Sequence, residues 1–224
     1  MPGHIQLQSS DGHTLQAYAA EPAGRPRGAV VVVQEIFGIN SHIRQVADGY
    51  AADGYLAIAP ALFDRVQAGY ETGYQPADVQ AGVALKNQIS NEQALADVQA
   101  AIEACAARGA GKVGVIGYCW GGTIAWLAAA KATGLAAAVA YYGGGVPDLI
   151  DQTPKVPTML HFGETDQSIP VEKARSVAAR HPTVETYFYP AGHGFNCDQR
   201  GSFHEPSAKQ ARERTLQFLE RWLG

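Results

Sequence analysis

The chain contains few cysteines: Cys105, Cys119 and Cys197 are the only three among its 224 residues. An odd number of widely spaced cysteines, with no Cys-x-x-Cys motif, gives no disulfide framework. Sparse cysteine use is typical of a reducing compartment, where thiols stay reduced. A chain of this length can instead bury a sizeable hydrophobic core.

Charge is also scarce. Charged residues make up 17% of the chain and the net charge is −4, whereas a typical domain has about 25% charged residues. There is no run of basic residues, which argues against nucleic-acid binding. No apolar stretch approaches the roughly 18 to 20 residues that a membrane-spanning helix needs, and residues 1–6 lack the features of a signal peptide. We therefore expect a soluble, cytoplasmic monomer.

The sequence does have a regular alternation of short apolar runs and helical stretches, with 46% hydrophobic residues. Strands are predicted at residues 5–9, 14–19, 29–34, 56–59, 113–116, 136–142, 157–162 and 183–189, and helices at 41–53, 90–108, 123–132, 171–180 and 206–223. Residues 61–89 are predicted to be a long connection of the kind that often covers an active site. The pattern predicts an α/β fold, mainly a parallel sheet with helices on both faces, in one domain over residues 1–224.

One predicted strand leads into the sequence Gly-Tyr-Cys-Trp-Gly at residues 117–121. This pattern is typical of the G-x-S-x-G nucleophile elbow of α/β-hydrolases, with Cys119 in the place of the serine. The turn from strand to helix is too tight for side chains at Gly117 and Gly121. Such an elbow holds its nucleophile at a helix N-terminus, where the helix dipole favours an anion such as a reactive thiolate. A buried structural thiol is the alternative interpretation of Cys119.

Two further loops follow predicted strands and offer the partners that a cysteine nucleophile needs. Residues 163–166 offer Asp166 as the acid, and residues 191–195 offer His193 as the base. The order nucleophile, acid, histidine is that of α/β-hydrolases, and all three lie at the carboxyl ends of strands. The alternatives are that Asp166 caps a turn or helix, with Glu164 as the true partner, and that His193 is an inert loop residue.

The apolar strand at 29–34 ends in Gln-Glu-Ile-Phe-Gly-Ile-Asn, residues 34–40. In α/β-hydrolases this position supplies one oxyanion-hole N–H, and the residue after the nucleophile supplies the other. The backbones of Ile36 and Trp120 are therefore predicted to form the oxyanion hole. Glu35 is unusual because it places a carboxylate at the end of an otherwise apolar strand. It is interpreted as part of the reaction site, and the alternative interpretation is a salt bridge at the strand end.

The remaining cysteines and histidines have plainer interpretations. Cys105 lies on an Ala-rich helix and is predicted to be in the core. Cys197 is interpreted as an ordinary loop thiol, with a place at the site as the alternative because it is close to His193 in sequence. The histidines at 4, 13, 42, 161, 181 and 204 are interpreted as structural or exposed.

These motifs together resemble the dienelactone hydrolase family, the carboxymethylenebutenolidases of aromatic degradation. The matching stretches extend over nearly the whole chain: residues 34–40, 114–122, 141–143, 163–166, 192–195 and 213–215. The resemblance implies an α/β-hydrolase fold and a triad of Cys119, His193 and Asp166. It also implies that Glu35 hydrogen-bonds the resting thiol and takes its proton when substrate binds, and that Tyr141 lies at the pocket edge. It implies no metal and no organic cofactor.

The resemblance further implies that the cysteine opens a small lactone or enol-lactone through a thioester. Phe37, Tyr141 and Arg200 are expected to contact this substrate. Members of the family that act on dienelactone bind its carboxylate with two arginines, but between residues 71 and 91 this chain has only Lys86 as a cation, and Arg200 matches the second arginine only loosely. The alternative role of Arg200 is a surface or loop-anchoring pair. The alternative functions are a general small-ester carboxylesterase and a non-catalytic binding or redox-thiol protein.

Overall fold

Eight strands form one sheet in the computed structural model, which describes residues 3–224. The strands are β1 (Gly3–Gln8), β2 (Thr14–Ala20), β3 (Gly28–Val33), β4 (Tyr55–Pro60), β5 (Val113–Tyr118), β6 (Leu135–Tyr141), β7 (Thr158–Gly163) and β8 (Glu185–Tyr189). Their order is β1-β2-β4-β3-β5-β6-β7-β8. Strands β3 to β8 run parallel, and the β1–β2 hairpin joins β4 in the antiparallel sense.

The helices cover both faces of this sheet. They are α1 (Ser41–Ala52), α2 (Pro76–Lys86), α3 (Asn91–Ala107), α4 (Trp120–Lys131), α5 (Val171–Arg180) and α6 (Glu205–Leu223). Helix α3 packs against α4, and α6 reaches α1 through Arg212, whose guanidinium lies 4.0 Å from the ring centre of Tyr50. Strands β3, β4 and β5 are buried along their whole length, as central strands covered on both faces must be. The predicted α/β-hydrolase architecture is confirmed.

No helix within residues 3–224 combines the length and the apolar character that crossing a bilayer requires.

Most elements begin and end within a few residues of their predicted bounds, but residues 61–89 differ. They contain a 3-10 turn, Leu62–Arg65, and the whole of α2, so the prediction of a connection without helices was wrong there. Helix α2 begins with a capping interaction, in which the N–H of Gln75 donates to Asp78 Oδ2 at 2.9 Å. Only Gly82 of this helix is buried, so the helix carries no apolar stripe from which a helical period could be read.

Candidate active site

Cys119 stands at the tip of the sharp turn between β5 and α4. Its backbone has φ 55° and ψ −116°, a region that residues other than glycine rarely adopt, and its N–H donates to the carbonyl of Tyr141 at 3.0 Å. A Cβ on Gly117 would lie 1.8 Å from the carbonyl oxygen of Gly121, and a Cβ on Gly121 would lie 2.3 Å from that of Val33. The two glycines therefore let the turn close while the cysteine projects from its tip.

The thiol of Cys119 is the first member of a chain of three side chains. Its Sγ lies 3.1 Å from Nε2 of His193, and Nδ1 of His193 lies 2.8 Å from Oδ2 of Asp166. The other carboxylate oxygen, Oδ1, accepts the backbone N–H groups of Ser168 at 2.7 Å and Ile169 at 3.1 Å. These bonds fix the carboxylate, which in turn orients the imidazole toward the sulfur.

The carboxylate that faces His193 belongs to Asp166 and not to Glu164. Asp166 is buried in the loop after β7, where its Oδ2 meets the imidazole. Glu164 is exposed and forms an ion pair with Arg175 at 3.0 Å. The alternative partner considered from the sequence is thus occupied elsewhere.

The surroundings of His193 favour its protonated form. Burial alone would lower the pKa of His193, but its electrostatic interaction with Cys119 and its hydrogen bonds to Asp166 and Cys119 outweigh burial and raise that pKa to about 10. The other two thiols have a different setting: burial raises the pKa of Cys105 to about 12, and burial with a nearby carboxylate raises that of Cys197 to about 11. Cys119, by contrast, has its Sγ within 3.1 Å of the His193 imidazole.

A cavity of about 640 Å³ is lined by Cys119 and His193. Ile36 and Phe37, from the segment after β3, form part of its wall, so Phe37 lies where a substrate contact was expected. Helix α2 contributes Val79, Val83 and Lys86. Part of the region 61–89 therefore borders this cavity, as helix α2.

The two residues predicted for the oxyanion hole also line this cavity. Trp120 is the first residue of α4, and the first N–H groups of a helix have no acceptor within the helix. On the other side, a Cβ on Gly82 would lie 2.0 Å from the carbonyl oxygen of Ile36, so α2 packs directly against the Ile36 backbone. Both backbone segments predicted to form the oxyanion hole therefore border the cavity that Cys119 lines.

Glu35 is buried, and its Oε1 accepts from Nη1 of Arg200 at 3.0 Å. Within residues 3–224 its Oε2 has no hydrogen-bond partner, and the thiol of Cys119 lies against His193. The hydrogen bond from the resting thiol to Glu35 is thus not formed in this structure, and that expectation is corrected. A guanidinium is a much stronger partner for a buried carboxylate than a weak S–H donor.

The same arginine reaches the cavity that Cys119 lines. Its guanidinium lies 5.5 Å from the ring centre of Phe37 and 5.8 Å from that of Tyr74. Arg200 therefore both anchors Glu35 and faces the place where a substrate would lie. The anchoring ion pair considered from the sequence is thus formed, and contact between Arg200 and a substrate stays a prediction.

With this geometry, the chain can be compared with known proteins. The model of the dienelactone hydrolase family matches residues 15–223. The chain belongs to the dienelactone hydrolase family. It is 33% identical over 226 residues to the carboxymethylenebutenolidase of Pseudomonas putida, and the match covers 96% of this chain and 94% of that protein.

Two further dienelactone hydrolase relatives carry provisional names. A Synechocystis protein provisionally named carboxymethylenebutenolidase is 37% identical over 225 residues, which cover 92% of this chain and 91% of that protein. The crystal structure of a provisionally named dienelactone hydrolase from Klebsiella pneumoniae matches with a TM-score of 0.87 and 34% identity, covering 100% of this chain and 98% of that one. The resemblance seen in the sequence is confirmed, and membership supports a hydrolase of lactones.

Tyr141 does not lie at the pocket edge as the resemblance to dienelactone hydrolases implied. It is fully buried, and its hydroxyl bonds Oγ1 of Thr215 in α6 at 2.6 Å. The next residue, Tyr142, has φ 37° and meets the ring of His193 edge-on at 5.2 Å. Tyr141 is the last residue of β6 and points to the α6 side of the sheet, and the strained turn after it brings Tyr142 to the histidine instead.

Proposed function

We propose that this chain hydrolyses a small lactone or enol-lactone, with Cys119 as nucleophile and a thioester as intermediate. The observation that carries the proposal is the 3.1 Å contact between Cys119 Sγ and His193 Nε2 at the wall of the cavity. Asp166 orients the histidine from behind. This is the arrangement that nucleophilic catalysis by a cysteine requires.

In the first half of the reaction, the thiolate of Cys119 adds to the lactone carbonyl carbon. The resulting oxyanion accepts the backbone N–H groups of Ile36 and Trp120. Collapse of this intermediate breaks the ring C–O bond and leaves a thioester on the sulfur. The ring oxygen leaves as a tethered enolate or alkoxide and takes the proton of the His193 imidazolium.

In the second half, the neutral imidazole of His193 takes a proton from water as the water oxygen adds to the thioester carbonyl. Collapse of the second tetrahedral intermediate expels the Cys119 thiolate and frees the carboxylic acid. The imidazolium and the thiolate are thereby restored as a pair. The sum is one water added across the lactone bond, with no external oxidant or reductant.

A substitution of Lys86 tests whether the substrate carries a negative charge, because Lys86 in α2 lines the cavity. We expect Lys86→Met to raise KM for a carboxylate-bearing lactone about fivefold, as loss of a partly exposed ion pair of roughly 1 kcal/mol would. KM for a neutral ester should not change. Steady-state kinetics on an acidic lactone and 4-nitrophenyl acetate measure both.

The matched control is Lys112→Met, which removes the same charge from an exposed position just before β5, at the opposite end of the strand from Cys119. Equal effects of the two variants would mean that only overall charge matters. A general small-ester carboxylesterase is the second candidate, favoured by the apolar wall of Phe37, Val79 and Val83. If the wild-type protein turns over the neutral ester faster than any acidic lactone, the lactone proposal gives way to it.

Alkylation tests whether Cys119 is an ion-paired thiolate. An ordinary thiol of pKa near 8.5 is only about 3% ionised at pH 7. We expect His193→Ala to slow the reaction of Cys119 with iodoacetamide about 30-fold at pH 7, because only the thiolate reacts. The gap should close as the pH rises through about 9, where an unassisted thiol ionises by itself.

The site of alkylation is read by peptide mass spectrometry, so that Cys105 and Cys197 serve as internal references in the same sample. A Cys119 that reacts as slowly as these two in the wild-type protein would contradict the nucleophile and favour a non-catalytic binding protein.

A further inference from the structure

Three side chains that the proposed reaction does not bring together meet behind the cavity wall. They are Glu35 after β3, His42 in the first turn of α1 and Cys197 in the loop after β8. One ligand atom from each lies within 4.8 Å of those of the other two. Glu35 and His42 are close in sequence, but Cys197 lies more than 150 residues later, so no short motif contains all three.

This cluster is buried and incompletely bonded. Glu35, His42 and Cys197 are 1%, 3% and 0% exposed. Within the described chain, neither Oε2 of Glu35 nor Nε2 of His42 has a hydrogen-bond partner. Buried polar atoms without a partner are rare in folded proteins and call for an explanation. Two such atoms, on residues clustered with one thiol, make up a donor set to which a metal cation can bind.

The ligand atoms already have supporting partners. Oε1 of Glu35 bonds Arg200 at 3.0 Å, which leaves Oε2 free. Nδ1 of His42 faces Oδ1 of Asp198 at 3.4 Å, which leaves Nε2 free. A histidine whose second nitrogen faces a carboxylate, and a carboxylate with its own hydrogen-bond donor, are typical of metal ligands.

We propose that Glu35, His42 and Cys197 form a binding site for one thiophilic divalent cation of the Zn²⁺ class. A carboxylate oxygen, an imidazole nitrogen and a thiolate are the three ligand types that Zn²⁺ takes, and the thiolate selects against Mg²⁺ and Ca²⁺. Binding expels the thiol proton of Cys197 to solvent. The fourth position of the tetrahedron is left for water.

This site is separate from the proposed nucleophile and does not depend on it. It departs from the sequence analysis, which implied no metal and interpreted His42 as structural or exposed and Cys197 as a loop thiol. The site is linked to the cavity through Glu35, because the carboxylate of Glu35 also accepts a hydrogen bond from Arg200, which lines the cavity. A bound cation would therefore fix the carboxylate between two positive groups.

The test removes the competing thiol first, because Cys119 with His193 can also bind a soft metal. In the full chain carrying Cys119→Ala, Co²⁺ is titrated by absorption and Zn²⁺ by calorimetry. We expect one equivalent of each, with a thiolate-to-Co²⁺ charge-transfer band. Adding Cys197→Ala should abolish the band and weaken Zn²⁺ binding more than about 100-fold, beyond the effect of an outer partner.

A second variant keeps the test independent of any folding defect in the core. Asp198 is 60% exposed and only supports His42, so Asp198→Asn in the same background should weaken Zn²⁺ binding about tenfold and leave the Co²⁺ band in place. Cys105→Ala in that background is the control and should change neither. Absence of a thiolate band in the Cys119→Ala protein, or a band that survives Cys197→Ala, would overturn the proposal.

Discussion

Replacing Cys119 by alanine is expected to lower kcat by about 10⁴-fold or more, because removing the nucleophile of a triad eliminates the covalent route. The remaining rate would come from the oxyanion-hole donors and from binding alone. The matched control is Cys105→Ala, which removes a buried thiol of the α3 core and should leave kcat unchanged. Steady-state rates on one lactone and one activated ester suffice for the comparison. A Cys119→Ala protein that retained a tenth of the wild-type kcat would exclude the thioester route.

The thioester route can also be tested directly, by trapping the acylated cysteine in a second variant. An activated ester such as 4-nitrophenyl acetate does not need an acid to expel its leaving group, so it can still acylate Cys119 in a His193→Ala protein. Hydrolysis of the thioester does need the histidine as a base. We therefore expect intact-protein mass spectrometry of this variant to show one stable acetyl group, assigned to Cys119 by peptide mapping. Acetylation of Cys197 instead would place the reactive thiol elsewhere.

The candidate site could be predicted from the sequence where chemistry and local geometry demand a particular residue type. Gly117 and Gly121 are required by a turn in which a Cβ would meet a carbonyl oxygen. The elbow can therefore be recognised from residues 117–121 alone. Asp166 and His193 each follow a predicted strand of the same parallel sheet. Because the carboxyl ends of parallel strands meet at one edge, the order of the strands was enough to bring them near Cys119.

The sequence could not predict contacts for which one side chain has more than one possible partner. The sequence offered Glu35 both a thiol and a salt bridge, and the structure pairs it with Arg200. That choice depends on how a loop more than 160 residues later folds back, which no local pattern encodes. Tyr141 and Tyr142 are adjacent and chemically identical, so only the turn after β6 decides which ring reaches His193.

Helix α2 shows a different limit. Sequence patterns find a helix through the apolar stripe that it buries, and α2 buries only Gly82 against the body of the protein. Its exposed Val83 and its Val79 instead face the cavity, where a substrate would cover them. A helix whose apolar side chains face a cavity rather than the core has no buried apolar stripe, and its sequence pattern therefore resembles that of a loop.

The second large effect is expected from Gly117→Ala, which adds one methyl group at the end of β5. Because that carbon would lie 1.8 Å from the carbonyl oxygen of Gly121 and 2.7 Å from the N–H nitrogen of Gly122, backbone must move on both sides of Cys119. We expect the free energy of unfolding to fall by about 3 kcal/mol, the upper end of the cost of overpacking, and activity to be lost even at temperatures where the variant is folded. Urea unfolding and kcat/KM measure the two effects separately.

Gly144→Ala is the matched control, because Gly144 lines the same cavity and a Cβ there meets nothing within 4 Å. It should leave the free energy of unfolding within about 0.5 kcal/mol of wild type, as for a substitution away from any tight contact. If Gly117→Ala were equally harmless, the elbow would be able to relax around a side chain. The strained backbone of Cys119, with φ 55°, would then not be what holds its sulfur 3.1 Å from His193, and the nucleophile would owe its position to the histidine alone.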